Sequence, residues 1–372
     1  MGTIIERDRA DGTRTYSAQI LRKKAGVILH RESETFERKA DAEKWMRNRE
    51  AALDQPDGIE IAQSPNPKFK LVIDQFKADN KRKYGKTQNH LYDAIRDESD
   101  LAEMFCADIR AKHIVEYGRA LFEAGRSKST VAGYISALGS IMKLAKPAWG
   151  FRIDATQYAE AVIALTRLEI IGRSNSRDRR PTLDELDRLM TYFVERSVRM
   201  HNHGVAPMHR IVAFAIFSTR RLDEILRQKR SDLDLDNKVM MVRQMKDPRN
   251  KTTNDVRCEM TDEAVAIAKA MKVDASNPDR LFPFNTGQVQ QAFAKACADL
   301  GLADLTFHDL RHEGISRLFE MGRTIPQTAS VSGHKNWKSL SRYTHIRQSG
   351  DKYAGWKWMA TVTAPQFFQI QP

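Results

Sequence analysis

Apolar and polar residues alternate near the start of the chain and take up a helical period further on. Thr3 to Asp8 reads as a strand, followed by the turn signal Ala10-Asp11-Gly12. Thr13 to Arg22 alternates with Tyr16, Ala18 and Ile20 on one face; Lys23-Lys24-Ala25-Gly26 reads as a second turn and Val27 to Phe36 as a third strand. From Lys39 to Leu53 the period changes, and Ala42, Trp45, Met46 and Ala52 fall roughly on one helical face. A small β3α domain is therefore expected over residues 1–55.

Gln55 to Pro67 holds Pro56, Asp57-Gly58, Pro65 and Pro67, which is linker composition. Helical patterns then run from Lys68 to Leu165. The clearest is Val131, Tyr134, Ile135, Leu138, Ile141, Met142 and Ala145, with Thr130 as its expected cap and Pro147 as its expected end. This predicts an all-helical domain over 66–168. A polar, basic linker, Gly172 to Arg180, comes next, and Thr182-Leu183-Asp184-Glu185 is a capping box that opens a new helix. The rest, 176–372, reads as one larger, mostly helical domain with one strand cluster: Val239 to Gln244, a turn through Asp247-Pro248, and Val256 to Met260. The expected fold is mainly α with small β-sheets, in several domains.

Composition adds a partner to this picture. Of 372 residues, 61 are Lys or Arg and 48 Asp or Glu, a net charge of +13. With 41% hydrophobic residues the chain can form real cores, and the basic surplus points to a polyanion such as nucleic acid. No apolar run approaches a bilayer span, and the charged start lacks the apolar region of a signal peptide, so no membrane partner is expected. Cys106, Cys258 and Cys297 lie far apart, without a CxxC pair, which fits a reducing cytoplasm and argues against disulfides or a Cys-rich metal site.

The chemistry concentrates in the last two hundred residues. Arg221 follows the apolar run Ile211 to Phe217, and Glu224 stands three residues on. His308 and Arg311 share a helix face that Thr306 can cap. His334 follows Gly333, and Tyr343 lies in a short apolar-patterned stretch. Each alone is ordinary. Together, two arginines, two histidines, a hairpin lysine and a tyrosine are what phosphodiester transfer to a phenol requires. A phenol is a poor nucleophile at neutral pH. Forked guanidiniums match the phosphorane oxygens, imidazoles donate to them or take the phenolic proton, and a lysine can protonate the leaving 5′-oxygen. Such a set needs neither metal nor cofactor, and none is expected.

These residues resemble the tyrosine recombinase, or phage integrase, family. Ser218-Thr-Arg-Arg221-Leu-Asp-Glu224-Ile is similar to its TGLRxxEL box. His308-Asp-Leu-Arg311-His312 matches HxLRH, and Ser332-Gly-His334 followed by Tyr343-Thr-His345 matches the GH…YTH box at the usual spacing. Thr219-Arg220 replaces the usual Gly-Leu, and Ser332 the usual Leu. The resemblance implies Tyr343 as nucleophile, Arg221 and Arg311 as the phosphate clamp, and His308 and His334 as phosphate-facing imidazoles. It implies Glu224 as the supporting acid and Lys246 as the general acid, with Lys251 as the competing lysine.

It further implies a helical core-binding domain upstream and, in the first 55 residues, an arm-type DNA-binding domain as on integrases of mobile elements. Expected DNA contacts are Arg14, Arg22, Lys23 and Lys24 in the first domain, Arg126 and Lys128 in the second, and Arg177, Arg179, Arg180 and Arg220 beyond. The implied function is cleavage and rejoining of DNA at specific sites through a 3′-phosphotyrosine, integrating or excising a mobile element. Inversion, resolution or type IB topoisomerase activity are the catalytic alternatives, and a non-catalytic DNA-binding protein is the other. Implied partners are double-stranded core and arm sites, three further copies of the chain in a tetramer on DNA, and an excision factor or DNA-bending host protein.

Overall fold

The first strands form because Ala25 (φ 49°) and Gly26 (φ 80°) both adopt left-handed backbone, the two-residue hairpin geometry that matches strand twist. A computed structural model describes residues 2–8, 12–79, 84–174, 177–200, 206–245 and 254–365. The chain divides into two units, Met1–Ser176 and Arg177–Pro372. The first opens with an antiparallel sheet of order β1-β2-β3: β1 (Thr3–Asp8), β2 (Arg14–Lys24) and β3 (Val27–Phe36). Helix α1 (Lys39–Leu53) packs on β2, closing Ala18, Ile20 and Ala42 from solvent. Ala52, expected on the inner face, is exposed; Leu53 is buried instead.

Two expectations need correction. The stretch from Gln55 to Pro67 is not all linker: it contains α2 (Gly58–Gln63). The long helix α6 (Lys128–Trp149) starts earlier than Thr130, because the Ser127 hydroxyl accepts from Thr130 N and is the cap. It also passes through Pro147, ending at Gly150, whose left-handed φ of 67° closes it. Pro147 sits in the last turn, where the missing N–H removes only one ladder bond. Around α6 pack α3 (Phe69–Asp79), α4 (Lys86–Glu98), α5 (Ala111–Glu123) and α7 (Ala155–Arg167), sharing a core that includes Phe69, Tyr92, Ile114, Leu138 and Leu165.

The second unit is built round α9 (Met208–Ser218), every residue of which is buried. A helix apolar on all sides must be surrounded. Its neighbours are α8 (Leu183–Arg199), opened by the expected Thr182–Glu185 capping box, with α11 (Asp262–Ala270), α12 (Thr286–Asp299), α13 (Phe307–Glu320) and α15 (Met359–Thr363). Short α10 (Leu222–Leu226) follows α9. A second antiparallel sheet joins β4 (Leu233–Asp234), β5 (Val239–Val242) and β6 (Val256–Glu259), and α14 (Ile325–Ser332) packs against β6. Helices α9 and α13 cross closely at Gly314: a Cβ there would lie 2.0 Å from the Ile216 carbonyl oxygen. The molecule is thus mostly helical with two small sheets, as the pattern predicts. No helix among the described residues is long and apolar enough to cross a membrane.

Candidate active site

Several chain turns deliver polar groups to one end of the α9–α13 crossing. Helix α9 stops at Thr219, whose φ of 55° is left-handed, and Arg221 then caps α10. The Arg221 guanidinium donates to Glu224 Oε1 at 2.8 Å and keeps 30% of its side-chain surface exposed. Glu224 is buried, and Arg311 on α13 reaches its other oxygen at 3.8 Å. Arg311 also donates to the Thr219 carbonyl, to Ser332 O at 3.2 Å, and lies 3.3 Å from His334 Nε2. His334 leaves α14 through Gly333 (φ 72°), and its Nδ1 meets the Ser332 hydroxyl at 2.8 Å. Ser332 thus holds the ring of His334, a use for the residue that replaces the usual Leu.

The electrostatics follow from three guanidiniums around one carboxylate. Burial pushes the Glu224 carboxyl up, but Arg220, Arg311 and Arg221 together bring it below its ordinary value, so it stays ionised. Burial, then the like charges of Arg220 and Arg221, lower the Arg311 pKa. Burial and the charges of Arg311, Arg221 and Arg220 hold His334 down to about 3, keeping it neutral. A cluster carrying surplus positive charge in a partly dry place is stabilised by an anion.

Tyr343 sits in a short helical turn, Ser341–Tyr343, and is only 6% exposed. Its ring stacks on Phe319 of α13 at 6.0 Å, and the Arg342 guanidinium lies over it at 5.5 Å. Its hydroxyl is hydrogen-bonded to His312 Nδ1. Burial raises the phenol's pKa, with Arg342 and Arg311 opposing. His308 is exposed and meets His312 edge-on, rings 4.9 Å apart. Lys246 and its competitor Lys251 lie outside the described residues. Met245 pairs with Asn254, and its side chain packs at Gly333, beside His334.

The sequence reading missed His312 as a site residue, although it closes the HxLRH box; its spacing of four from His308 puts both on one helix side. It also missed Arg342. The expected DNA contacts fare unevenly. Arg220 is 1% exposed and inward-facing: it donates to Ser218 O at 3.0 Å and to Val331 O, and it reaches Cys258 Sγ at 3.2 Å. It braces the turn and cannot reach DNA from there. The linker arginines are held by carboxylates. Arg177 forks onto Asp309 at 2.8 Å and reaches Asp304 at 2.6 Å, Arg179 pairs with Glu185, and Arg180 bridges Glu313 and Glu320. Arg14 pairs with Asp8, Arg22 with Asp54, and Lys128 with Glu169, while Arg126 lies over Tyr134. Lys23 and Lys24 are exposed at the β2–β3 turn. A second tyrosine near the site, Tyr353, is buried and donates to Glu313 Oε1 at 3.1 Å.

Residues 179–349 match the phage integrase family, so this part of the chain is a phage integrase, or tyrosine recombinase, domain. A shufflon-specific DNA recombinase of Escherichia coli is 30% identical over 220 residues, 59% of this chain and 51% of that protein; the chain thus spans about half the length of this relative. Among solved structures, the Tn1549 transposon integrase on circular-intermediate DNA superposes with a TM-score of 0.57 at 14% identity, covering 75% of this chain and 95% of its own. A lambda integrase tetramer bound to a Holliday junction gives 0.55 at 17% identity, covering 89% and 95%. At such identities the likeness is one of fold.

Proposed function

We propose that the chain is a site-specific DNA recombinase that cuts and rejoins strands through a phosphotyrosine on Tyr343. The observation that carries this is the convergence of Arg221, Arg311 and His334 on one buried carboxylate network, with Tyr343 hydrogen-bonded to the residue next to Arg311. Arg221 and Arg311 bind the scissile phosphate's non-bridging oxygens, Glu224 fixes both guanidiniums, and His334, held neutral, adds a donor alongside His308. Negative charge accumulating on the phosphorane is met by groups already in place. Lys246, or Lys251, supplies the proton for the leaving 5′-oxygen. The phosphodiester energy is stored as the phosphotyrosine, so no nucleotide or metal cofactor takes part.

The partner is double-stranded DNA, engaged by a helical core-binding domain over 66–168 and an arm-binding domain over 1–55, with Lys23 and Lys24 presented on the β2–β3 turn. The working assembly is a homotetramer on paired sites, supported by the lambda integrase likeness, and the reaction is integration and excision of a mobile element. The 30% identity to a shufflon-specific recombinase favours a second reading, rearrangement between sites on one molecule. A nicked suicide duplex carrying the target site tests the chemistry: the natural chain becomes covalently trapped, whereas Tyr343→Phe binds and is not trapped. An undiminished covalent band from the variant refutes the proposal. Plasmids with both sites on one molecule, or on two, then separate rearrangement from integration.

A further inference from the structure

We propose that His312 is a further catalytic residue, the group that accepts the phenolic proton of Tyr343; this rests on the reading of Tyr343 as nucleophile. Of the two histidines on this side of α13, His312 is the one whose ring nitrogen meets the Tyr343 hydroxyl, with the rings 6.1 Å apart. His308 instead touches His312 edge-on from the exposed side. The placement is built into the helix. Arg311, which contacts Glu224 and His334, is followed at once by the residue that contacts the nucleophile. Phe319, two turns on, stacks against the same phenol at an interplanar angle of 10°. The reacting oxygen is therefore registered to the phosphate-binding arginine by a single rigid element, which is what a near-attack geometry demands.

The surroundings suit a proton acceptor. Burial, then the charges of His308 and Arg342, hold His312 down to about 4, with Asp309 opposing and Arg311 adding to the depression; its free nitrogen is available at neutral pH. Arg177, Asp178 and Arg180 from the linker, with Arg342 and His345 from the tyrosine turn, line the small cavity shared by His312 and Tyr343. So weak a base cannot remove the proton from a resting phenol. Transfer accompanies attack: the Tyr343 oxygen–phosphorus bond forms and the phosphorus–O5′ bond breaks. The phenolic proton passes to His312 Nδ1, and the proton of Lys246 or Lys251 passes to the departing 5′-oxygen. Rejoining runs the same transfers in reverse, and His312 returns its proton to the leaving phenolate. An incoming phosphate, by its negative charge, strengthens the base as the reaction needs it.

The test compares His312→Ala, His312→Asn and His308→Ala in single-turnover cleavage of the nicked duplex, with DNA affinity and melting temperature measured alongside. Asn keeps an acceptor for the phenol but cannot take its proton. Both His312 variants are expected to cleave about 100-fold more slowly or worse, with DNA affinity kept and a rate that climbs more steeply with pH. Replacing Tyr343 with the more acidic 3,5-difluorotyrosine should recover His312→Ala more than the natural chain. Cleavage by His312→Asn within threefold of the natural rate overturns the proposal, as does an equal gain from difluorotyrosine in both backgrounds. A larger loss from His308→Ala than from His312→Ala moves the base to His308 and also overturns it. Failure of the underlying reading looks different: the Tyr343→Phe control would still be trapped.

Discussion

Gly314→Ala tests whether the crossing of α9 and α13 positions the active site. An added Cβ would lie 2.0 Å from the Ile216 oxygen, 2.9 Å from its carbonyl carbon and 3.1 Å from Thr219 Cγ2. A relaxed carbon–oxygen contact is about 3.3 Å, so the helices must part by roughly 1.3 Å at this point. Both obstacles are backbone or sit in the turn, and no flexible side chain can swing aside. Overpacking of this kind costs about 3 kcal/mol, offset by about 1 kcal/mol from Ala's better helix propensity. A net loss of about 2 kcal/mol lowers the melting temperature of a unit this size by about 4–8 °C. The activity loss should exceed the stability loss. Ile216 and Thr219 lead into Arg221, and Arg311 on the opposite helix donates to the Thr219 carbonyl, so parting the helices separates the two arginines. A displacement near 1 Å in a catalytic constellation costs about 100-fold in rate. Thermal melting and trapping on the nicked duplex, assayed well below the melting temperature, measure the two effects. A variant that melts within about 1 °C of the natural chain and cleaves within about threefold of it refutes the argument, since the estimates above require more.

Arg221→Lys should cleave roughly 100-fold more slowly than the natural chain because an ammonium lacks the planar fork, while its melting temperature stays close. Arg220→Ala should do the reverse in kind, losing about 3 kcal/mol of stability because the Val331 and Ser218 carbonyls lose a buried charged donor; if instead it folds normally and alone abolishes cleavage, the arginines exchange roles. Lys246→Ala should cleave slowly on a normal 5′-oxygen and recover on a 5′-bridging phosphorothiolate, whose thiolate leaves without a proton; equal defects on both point to Lys251. His209, buried with an unpaired Nδ1, is held by burial down to about 4 from 6.5. Its folded pKa lies below the unfolded one, so the neutral form is favoured and stability falls as pH drops from 6.5 towards 4, by about 2 kcal/mol at pH 5. His209→Leu should lose less melting temperature than the natural chain between pH 7.5 and 5, and an equal loss contradicts the assignment.

The legible parts of this molecule are those that local chemistry dictates. The three strands and α1 match the alternation almost residue for residue, because hairpin turns and a one-sided buried face leave little freedom. The Thr182–Glu185 box marked a helix start for the same reason. The long helix departs from its sequence pattern at both ends. A serine three residues upstream competed as cap, and a proline in a last turn costs one hydrogen bond, too little to stop a helix already packed on four others. Arginine-rich stretches were the least readable. Charge counts the guanidiniums, but only the fold says that Asp304, Asp309, Glu185, Glu313 and Glu320 come to meet them. The site residues were visible as residue types, whereas the partner of the Tyr343 hydroxyl was not. A contact between residues 31 apart depends on how α13 and the tyrosine turn face each other.

The anchoring of the tyrosine turn sets how far its side chain can travel. Leu340, fully buried, pins one side, and on the other Arg317 grips Asp351 at 2.7 Å. Tyr343 stands three residues beyond Leu340, a leash of about 10 Å even when pulled straight. Carrying the phenol further than this would require extracting Leu340 from the core. On the function proposed above, a phenol leashed in this way attacks the strand that its own copy has bound. In the proposed assembly of identical copies, each copy would then bring its own nucleophile to its own strand, with no barter between them.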